Sequence, residues 1–255
     1  MVKPMSSGMP FSRYAALYDL IYGERDSAGE VKWMQENLVS HGLPENSRLL
    51  DLGSGTGRHA QLFAEYGHSV VGVEASEDML TLSRESDQVS FVQGDARGVR
   101  LGEIFNCVLA LFHVVSYQIT PDDIDGIFET AAAHTSSGGL FAFDIWYSPA
   151  VFFLQPERRT LRKENESISV LRVSTPQENL ADSTVTVKYS FEVTDKKTGT
   201  EEKFDELHVM RHFSHTEIAL YAHKHGFSVI DQREFLTDSV PSRESWGVWF
   251  TLRKD

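Results

Sequence analysis

The stretch Leu49-Leu50-Asp51-Leu52-Gly53-Ser54-Gly55-Thr56-Gly57 constrains this chain more than any other. An apolar run ends in three alternating glycines, and a helical pattern follows through Tyr66. Glycine lets the backbone turn sharply and approach a ligand with no Cβ in the way. Amide N–H groups at the helix start can then receive an anionic group. A tight strand-to-helix corner with no ligand is the bland alternative.

The rest of the chain supplies the setting. Phe11–Val39 reads as helical, with Tyr14, Leu17, Tyr18, Ile21 and Tyr22 at spacings of three and four, ended by a break at Gly42–Pro44. Strands are expected at Arg48–Leu52, Ser69–Glu74, Val89–Gln93, Asn106–Leu111 and Leu140–Ile145, with helices at Glu77–Ser83 and Pro121–Ala133 between them. This alternation predicts a parallel sheet with helices on both faces. Such a sheet binds ligands beyond its strands' carboxyl ends, where strand order reverses. After Ala150 the pattern changes. Ile168–Thr175, Thr184–Val193 and Lys203–Arg211 read as antiparallel strands inserted over the ligand mouth. Ser214–His225 reads as a helix, with Ser214 as N-cap and Glu217 completing a capping box. Phe227–Phe235 and Trp246–Leu252 read as closing strands.

Composition narrows the function classes. At 255 residues the chain is one large domain, or a domain with an insertion. An apolar share of 41% argues against disorder. Lys plus Arg number 24 against 37 Asp plus Glu, a formal charge of −13 that repels phosphate backbones and argues against nucleic acid as partner. The lone Cys107 excludes an internal disulfide and a cysteine-rich metal site. No run of about 18 apolar residues exists, and Met1–Pro10 lacks the apolar core of a secretory signal. The expectation is a cytoplasmic protein without membrane contact.

Three companions sharpen the glycine motif. Glu74 ends the second strand, where an acid can accept hydrogen bonds from ribose hydroxyls. Asp95, after the third strand, is placed to accept from an adenine amino group. Met79 is placed to cover an adenine face with a polarisable side chain. Solvated strand-end acids and core filler are their bland readings.

These residues resemble the class I S-adenosylmethionine-dependent methyltransferases. Asp51 to Gly57 matches that family's first motif, Glu74 its ribose acid and Asp95 its adenine-side acid. The likeness covers about Asn46 to Ile145 and the elements after Ser214. It implies S-adenosylmethionine as cofactor, with Asp51 near the cofactor's ammonium group. Its implied contact set includes Gly53, Ser54, Gly55, Gly57, Ala75, Met79, Ala96, Arg97, Leu111 and Phe112. Tyr14 to Tyr22 looks like the lid helix of bacterial small-molecule methyltransferases, the amino-sugar N-methyltransferases among them. There Tyr22 would hold the methionine carboxylate and Tyr14 would line the mouth. A nicotinamide dehydrogenase is the rival reading. Its fingerprint wants a third glycine where Arg58 stands.

The fold this implies is α/β: a doubly wound, mostly parallel seven-stranded sheet, Rossmann-like, with an inserted antiparallel β lid. Residues 1–45 would form lid helices, 46–150 and 213–255 the cofactor-binding core, and 151–212 the inserted strands over the substrate. The implied reaction is in-line methyl transfer to a small polar metabolite such as a nucleotide-linked sugar. A non-catalytic binding protein on the same fold is the alternative.

A neutral amine acceptor needs little beyond orientation, whereas a hydroxyl needs a general base. His113 and Tyr117 are the candidates for that polar role, although the amino-sugar enzymes usually carry small residues at the place of His113. Trp146, Tyr147, His208 and Arg211 are candidate substrate contacts. No metal is expected: His208 and His212 are four apart on a strand, about 13 Å, and His223 and His225 point different ways on a helix. The expected partner is a small molecule, with a homodimer left open.

Overall fold

Apolar strands buried on both faces build the centre of a sheet. In β1 (Arg48–Leu52) only Arg48 is exposed. It pairs in parallel with β2 (Ser69–Glu74) on one side and β4 (Phe105–Ala110) on the other. The computed structural model describes residues 15–23 and 25–255, with side chains undescribed at 15, 16, 18 and 19. With β3 (Val89–Gln93) and β5 (Thr135–Tyr147), the parallel strands run in the order β3-β2-β1-β4-β5. Antiparallel β11 (Gly247–Lys254) adds to β5, and β10 (Phe227–Glu234) to β11. This is the expected seven-stranded, mostly parallel sheet. Its order reverses between β1 and β4, so a crevice opens at their carboxyl ends.

Alternation along β1 sends Leu49 to one face and Leu50 and Leu52 to the other. Leu49 packs in one cluster with Val31, Met34 and Leu38 of α2 (Ser27–Ser40) and Phe63 of α3 (Arg58–Glu65). Leu50 and Leu52 share a second cluster with Ile124, Ile127 and Phe128 of α5 (Pro121–His134) and Ile218 of α7 (His215–Lys224). Burying each such side chain contributes roughly 1.5–3 kcal/mol. The sequence marks where α5 starts: Pro121 sits in the first turn, and Thr120 and Asp123 close a capping box.

The antiparallel insertion comprises β6 (Arg159–Glu164), β7 (Ile168–Asn179), β8 (Thr184–Asp195) and β9 (Glu201–Phe213). It joins the core where the end of β5 pairs with the end of β9, Trp146 with His212 and Tyr147 with Phe213. Helix α1 (Ala15–Tyr22) docks on it, with Leu17 and Ile21 packed against Val170 and Phe191.

The structure corrects several boundaries. Within the Phe11–Val39 stretch the described residues form two helices, because the Asp26 carboxylate accepts from the Gly29 N–H and starts α2 afresh. Helix α4 (Glu77–Leu80) stops three residues before Ser83. Ser214 accepts from the Glu217 N–H, yet the Glu217 carboxylate pairs with Arg211 at 2.6 Å, so the capping box is only half made. Helix α6 (Ser148–Leu154) and strand β6 were not foreseen. In α6, Ala150 and Val151 are buried while Phe152, Phe153 and Leu154 are exposed, so its apolar run carries no helical stripe. β6 is a charged edge strand, which blunts unwanted pairing and hides the usual apolar cue. Tyr14 lies outside the described residues.

Candidate active site

The crevice holds a cavity of about 370 Å³. Its wall begins with the glycine turn. The Gly53 and Ser54 N–H groups both donate to the Val73 carbonyl, at 2.7 and 3.0 Å, which folds the turn over the end of β2. Gly53 has φ +78°, and a Cβ there would sit 2.5 Å from a Val114 methyl. Only glycine meets both constraints cheaply.

Gly57 serves a different end. It does not line the cavity. At φ +76° it starts α3, and an added Cβ would lie 2.2 Å from the Phe91 ring. The third glycine is thus a packing requirement. Gly57→Ala is expected to cost about 2 kcal/mol from the left-handed strain and the displaced ring, lowering Tm by roughly 4–8 °C in a thermal melt.

Two acids stand beside the turn in contrasting states. Glu74 Oε2 accepts from the Gly55 N–H at 2.9 Å and Oε1 from the Ser76 N–H at 2.8 Å. Each oxygen keeps acceptor capacity for another donor. Asp51 is 2% exposed, and its Oδ1 has no hydrogen-bond partner among the described residues. Burial, then the Glu74 charge, pushes its pKa up to about 7. Ser54 Oγ is likewise buried and without a partner among the described residues. Beneath Asp51, burial first and the Asp51 charge second push the Cys107 thiol up, away from the reactive thiolate.

The far side of the cavity carries Ala75, Met79, Asp95, Ala96 and Arg97. Asp95 is engaged: Arg97 Nη2 reaches Oδ2 at 2.6 Å, and Arg97 Nε and N–H both reach Oδ1 at 2.9 Å. Those bonds hold its carboxyl below the usual range. Arg97 also pairs with Asp123 at 2.5 Å, so its guanidinium is spent on two aspartates.

Leu111, Phe112, Val114 and Tyr117 close the wall from the segment after β4, and Tyr22 from α1. Phe112 and His113 have φ of +57° and +68°, two consecutive non-glycine residues in the left-handed region. Such strain persists only where surrounding structure over-determines it. The clamps on Phe112 were missed in the sequence. The Arg25 guanidinium lies 3.8 Å from its ring centroid, and the His59 ring 4.4 Å. Both side chains face Glu30, Arg25 through a close ion pair and His59 through Nε2 at 3.1 Å. Burial lowers the His59 pKa despite Glu30. Arg25, His59 and Phe112 come from three distant segments, and no local spacing signals their meeting.

On the clamped turn, His113 points elsewhere. Its N–H donates to Asp144 Oδ2 at 3.1 Å, and its Nδ1 lies 2.5 Å from that oxygen without hydrogen-bond alignment. Phe112 and Val114 reach the cavity wall; His113 does not. Of the four substrate candidates none lines the cavity. Trp146 packs edge-on against Trp246 at 5.4 Å, and the Tyr147 N–H donates to the Trp246 carbonyl. Arg211 is held by Glu217 and the Ile119 carbonyl. His208 stands one step behind the wall, its Nδ1 2.8 Å from the Tyr117 hydroxyl and its Nε2 3.1 Å from Glu206.

His212 lies on the same strand as His208 but turns to the Ser148 hydroxyl at 2.8 Å. Burial and the Arg211 charge lower its pKa to about 4. Among the described residues no three His, Cys, Asp or Glu side chains gather as a metal site would need. No helix among them is long and apolar enough to cross a membrane.

Comparison with known proteins agrees with this geometry. The methyltransferase-domain family matches residues 49–139. A dTDP-3-amino-3,4,6-trideoxy-alpha-D-glucopyranose N,N-dimethyltransferase of Streptomyces venezuelae is 36% identical over 142 residues, 54% of this chain and 60% of the relative. The chain thus matches well under two thirds of that relative's length. The putative methyltransferase YqeM of Bacillus subtilis is 26% identical over 96% of this chain and 98% of its own. Among solved structures, Streptomyces venezuelae DesVI superposes with a TM-score of 0.80 at 27% identity, covering 95% of this chain and 98% of that one. A glycine turn zipped to β2, an acid at the end of each of its flanking strands and these likenesses together make the chain similar to the class I S-adenosylmethionine-dependent methyltransferases, in fold over 95% of its length and in the methyltransferase-domain segment over residues 49–139.

Proposed function

We propose that this chain transfers a methyl group from S-adenosylmethionine to the amino group of a small, nucleotide-linked sugar. One observation carries the reading: a buried Asp51 carboxylate with an unpartnered oxygen faces the cavity beside a Glu74 whose oxygens are aimed by two backbone N–H groups. Among the described residues no cation pairs with Asp51, so the site is suited to a ligand that brings one. The ammonium of an amino-acid tail meets that need. Asp51 would receive it, Glu74 the ribose hydroxyls and Asp95 the adenine amino group, with Met79 and Ala96 against the base. When bound, the donor supplies an electrophilic methyl carbon on a positively charged sulfur.

The remaining work falls to the chain. Tyr22 and the clamped Phe112 narrow the mouth. The inserted strands, residues 151–212, and the helices within residues 1–45 would exclude water over the acceptor. Tyr117, a polar side chain on the wall after β4, would orient the acceptor nitrogen. The amino-sugar class is supported by the Streptomyces venezuelae relative. A reduced, buried Cys107 accords with a reducing compartment such as the cytoplasm.

Isothermal titration with S-adenosylmethionine, followed by methyl transfer to a panel of dTDP-linked amino sugars, tests the reading. Binding well below millimolar donor and mono- or dimethylated product are expected. No heat at millimolar donor would remove it.

A further inference from the structure

Behind the cavity wall stands an ordered chain of three polar groups from two elements. Tyr117 presents its hydroxyl from the one-turn 3₁₀ segment Val115–Tyr117, and it lines the cavity. His208 and Glu206 come from β9 in the inserted sheet. The His208 side chain is 3% exposed and Glu206 is 11% exposed. The partners dictate the tautomer. A carboxylate accepts, so the Glu206 contact takes the Nε2–H of His208 and sets Nδ1 toward the Tyr117 O–H. The chain then runs in one direction, with the Tyr117 proton aimed at an imidazole and the imidazole backed by a carboxylate.

We propose that Tyr117, His208 and Glu206 form a proton relay serving the acceptor, an inference that rests on the methyl-transfer reading above. As the acceptor nitrogen becomes alkylated it carries one proton too many. That proton passes to Tyr117 Oη while the phenolic proton passes to His208 Nδ1. One N–H bond breaks at the acceptor and one forms at His208; the Tyr117 O–H is broken and remade, and no electrons change hands. The imidazolium keeps its Nε2–H on Glu206. Tyr117 is the group that touches the acceptor, and His208 and Glu206 are positioning residues acting through it. The relay also explains why a polar pair sits inside the inserted sheet: the insertion carries the proton sink as well as the cover.

Three groups among the described residues face the imidazole. Tyr117 approaches from the 3₁₀ segment, Glu206 from the same strand, and the Tyr189 ring from β8 at 4.9 Å. Arg172 of β7 lies 5.0 Å over the far Tyr189 ring and donates to the Tyr22 hydroxyl of α1. Burial, with Tyr22 next, raises the Tyr189 pKa, so it stays neutral near pH 7.

The test measures donor Kd by titration, and kcat and KM for the amino sugar between pH 5.5 and 9. Wild type is compared with Tyr117→Phe, His208→Gln, His208→Ala and Glu206→Gln. Donor Kd should stay within about twofold in the His208 and Glu206 variants. His208→Gln and Tyr117→Phe should lose at least about tenfold in kcat, within the range of general-base contributions. Glu206→Gln should lose less and move the acid limb of the kcat profile. Added imidazole should restore part of the His208→Ala rate, which a merely structural role would not allow. Should His208→Gln fail to fold, Tyr117→Phe and Glu206→Gln still decide. Turnover by wild type beside unchanged kcat and pH profile in the folded variants overturns the relay alone. A wild type that binds donor but methylates no amino sugar removes the methyl-transfer reading, and the relay with it.

Discussion

Glu74→Ala is expected to weaken S-adenosylmethionine binding by at least about 100-fold. The carboxylate accepts from the Gly55 and Ser76 N–H groups, which aim it, and in the proposed complex from ribose hydroxyls. Hydrogen bonds to a charged group are worth about 1.5–3 kcal/mol each, so two lost ribose contacts exceed the roughly 2.7 kcal/mol of a 100-fold change. Glu74→Gln should rescue little. Its NH₂ must face one of the two backbone donors, and a donor opposite a donor repels. A small opposing effect is also expected: without the Glu74 charge, Asp51 ionises more readily, since that charge helps raise its pKa. Titration calorimetry on both variants checks the assignment. An Ala variant within fivefold of wild type would mean that ribose is held elsewhere.

Asp51→Asn should move stability and affinity in opposite directions. In the free protein burial raises the Asp51 pKa from 3.8 to about 7. Below pH 3.8 the acid is neutral both folded and unfolded. Between pH 4 and 7 the unfolded chain ionises it freely while the folded chain resists, so stability present at low pH is lost as pH rises through the folded value. Above it the penalty levels off, on the order of 4 kcal/mol. Asn carries no such penalty. At pH 8 the ligand-free variant should therefore melt several degrees above wild type, a margin that shrinks toward pH 4. Donor affinity should fall about 10- to 100-fold, because the ammonium loses its counter-ion. Between pH 5.5 and 7, wild type should release a proton on binding, visible as buffer-dependent heat in calorimetry, and the variant should release none. Equal melting of the two proteins at pH 8 would show that Asp51 is not a suppressed buried acid.

Both effects come from residues that sequence inspection singled out, and the reason is local. A buried strand, three alternating glycines and an acid at the end of the next strand are short-range requirements of backbone turning. They survive as a readable string from Leu49 to Gly57 and on to Glu74. By motif and position, Gly57 belongs to the ligand and His113 to the chemistry, whereas the structure puts Gly57 under Phe91 and His113 on Asp144. Spacing along a chain says which side a backbone position faces but not which neighbour occupies the space.

The alternation of strands and helices along the core and the position of the glycine cradle were thus already written in hydrophobic periodicity and glycine placement, since these follow from backbone sterics and burial one element at a time, whereas the lateral order β3-β2-β1-β4-β5 is set by tertiary pairing. The Arg25, Glu30 and His59 clamp around Phe112 exists only once α2 and α3 pack beside the turn after β4, and the line from Tyr117 through His208 to Glu206 only once β9 is laid beside the same segment. Tyr117 and His208 are 91 residues apart, and what joins them is a 2.8 Å hydrogen bond that exists once packing has closed that distance.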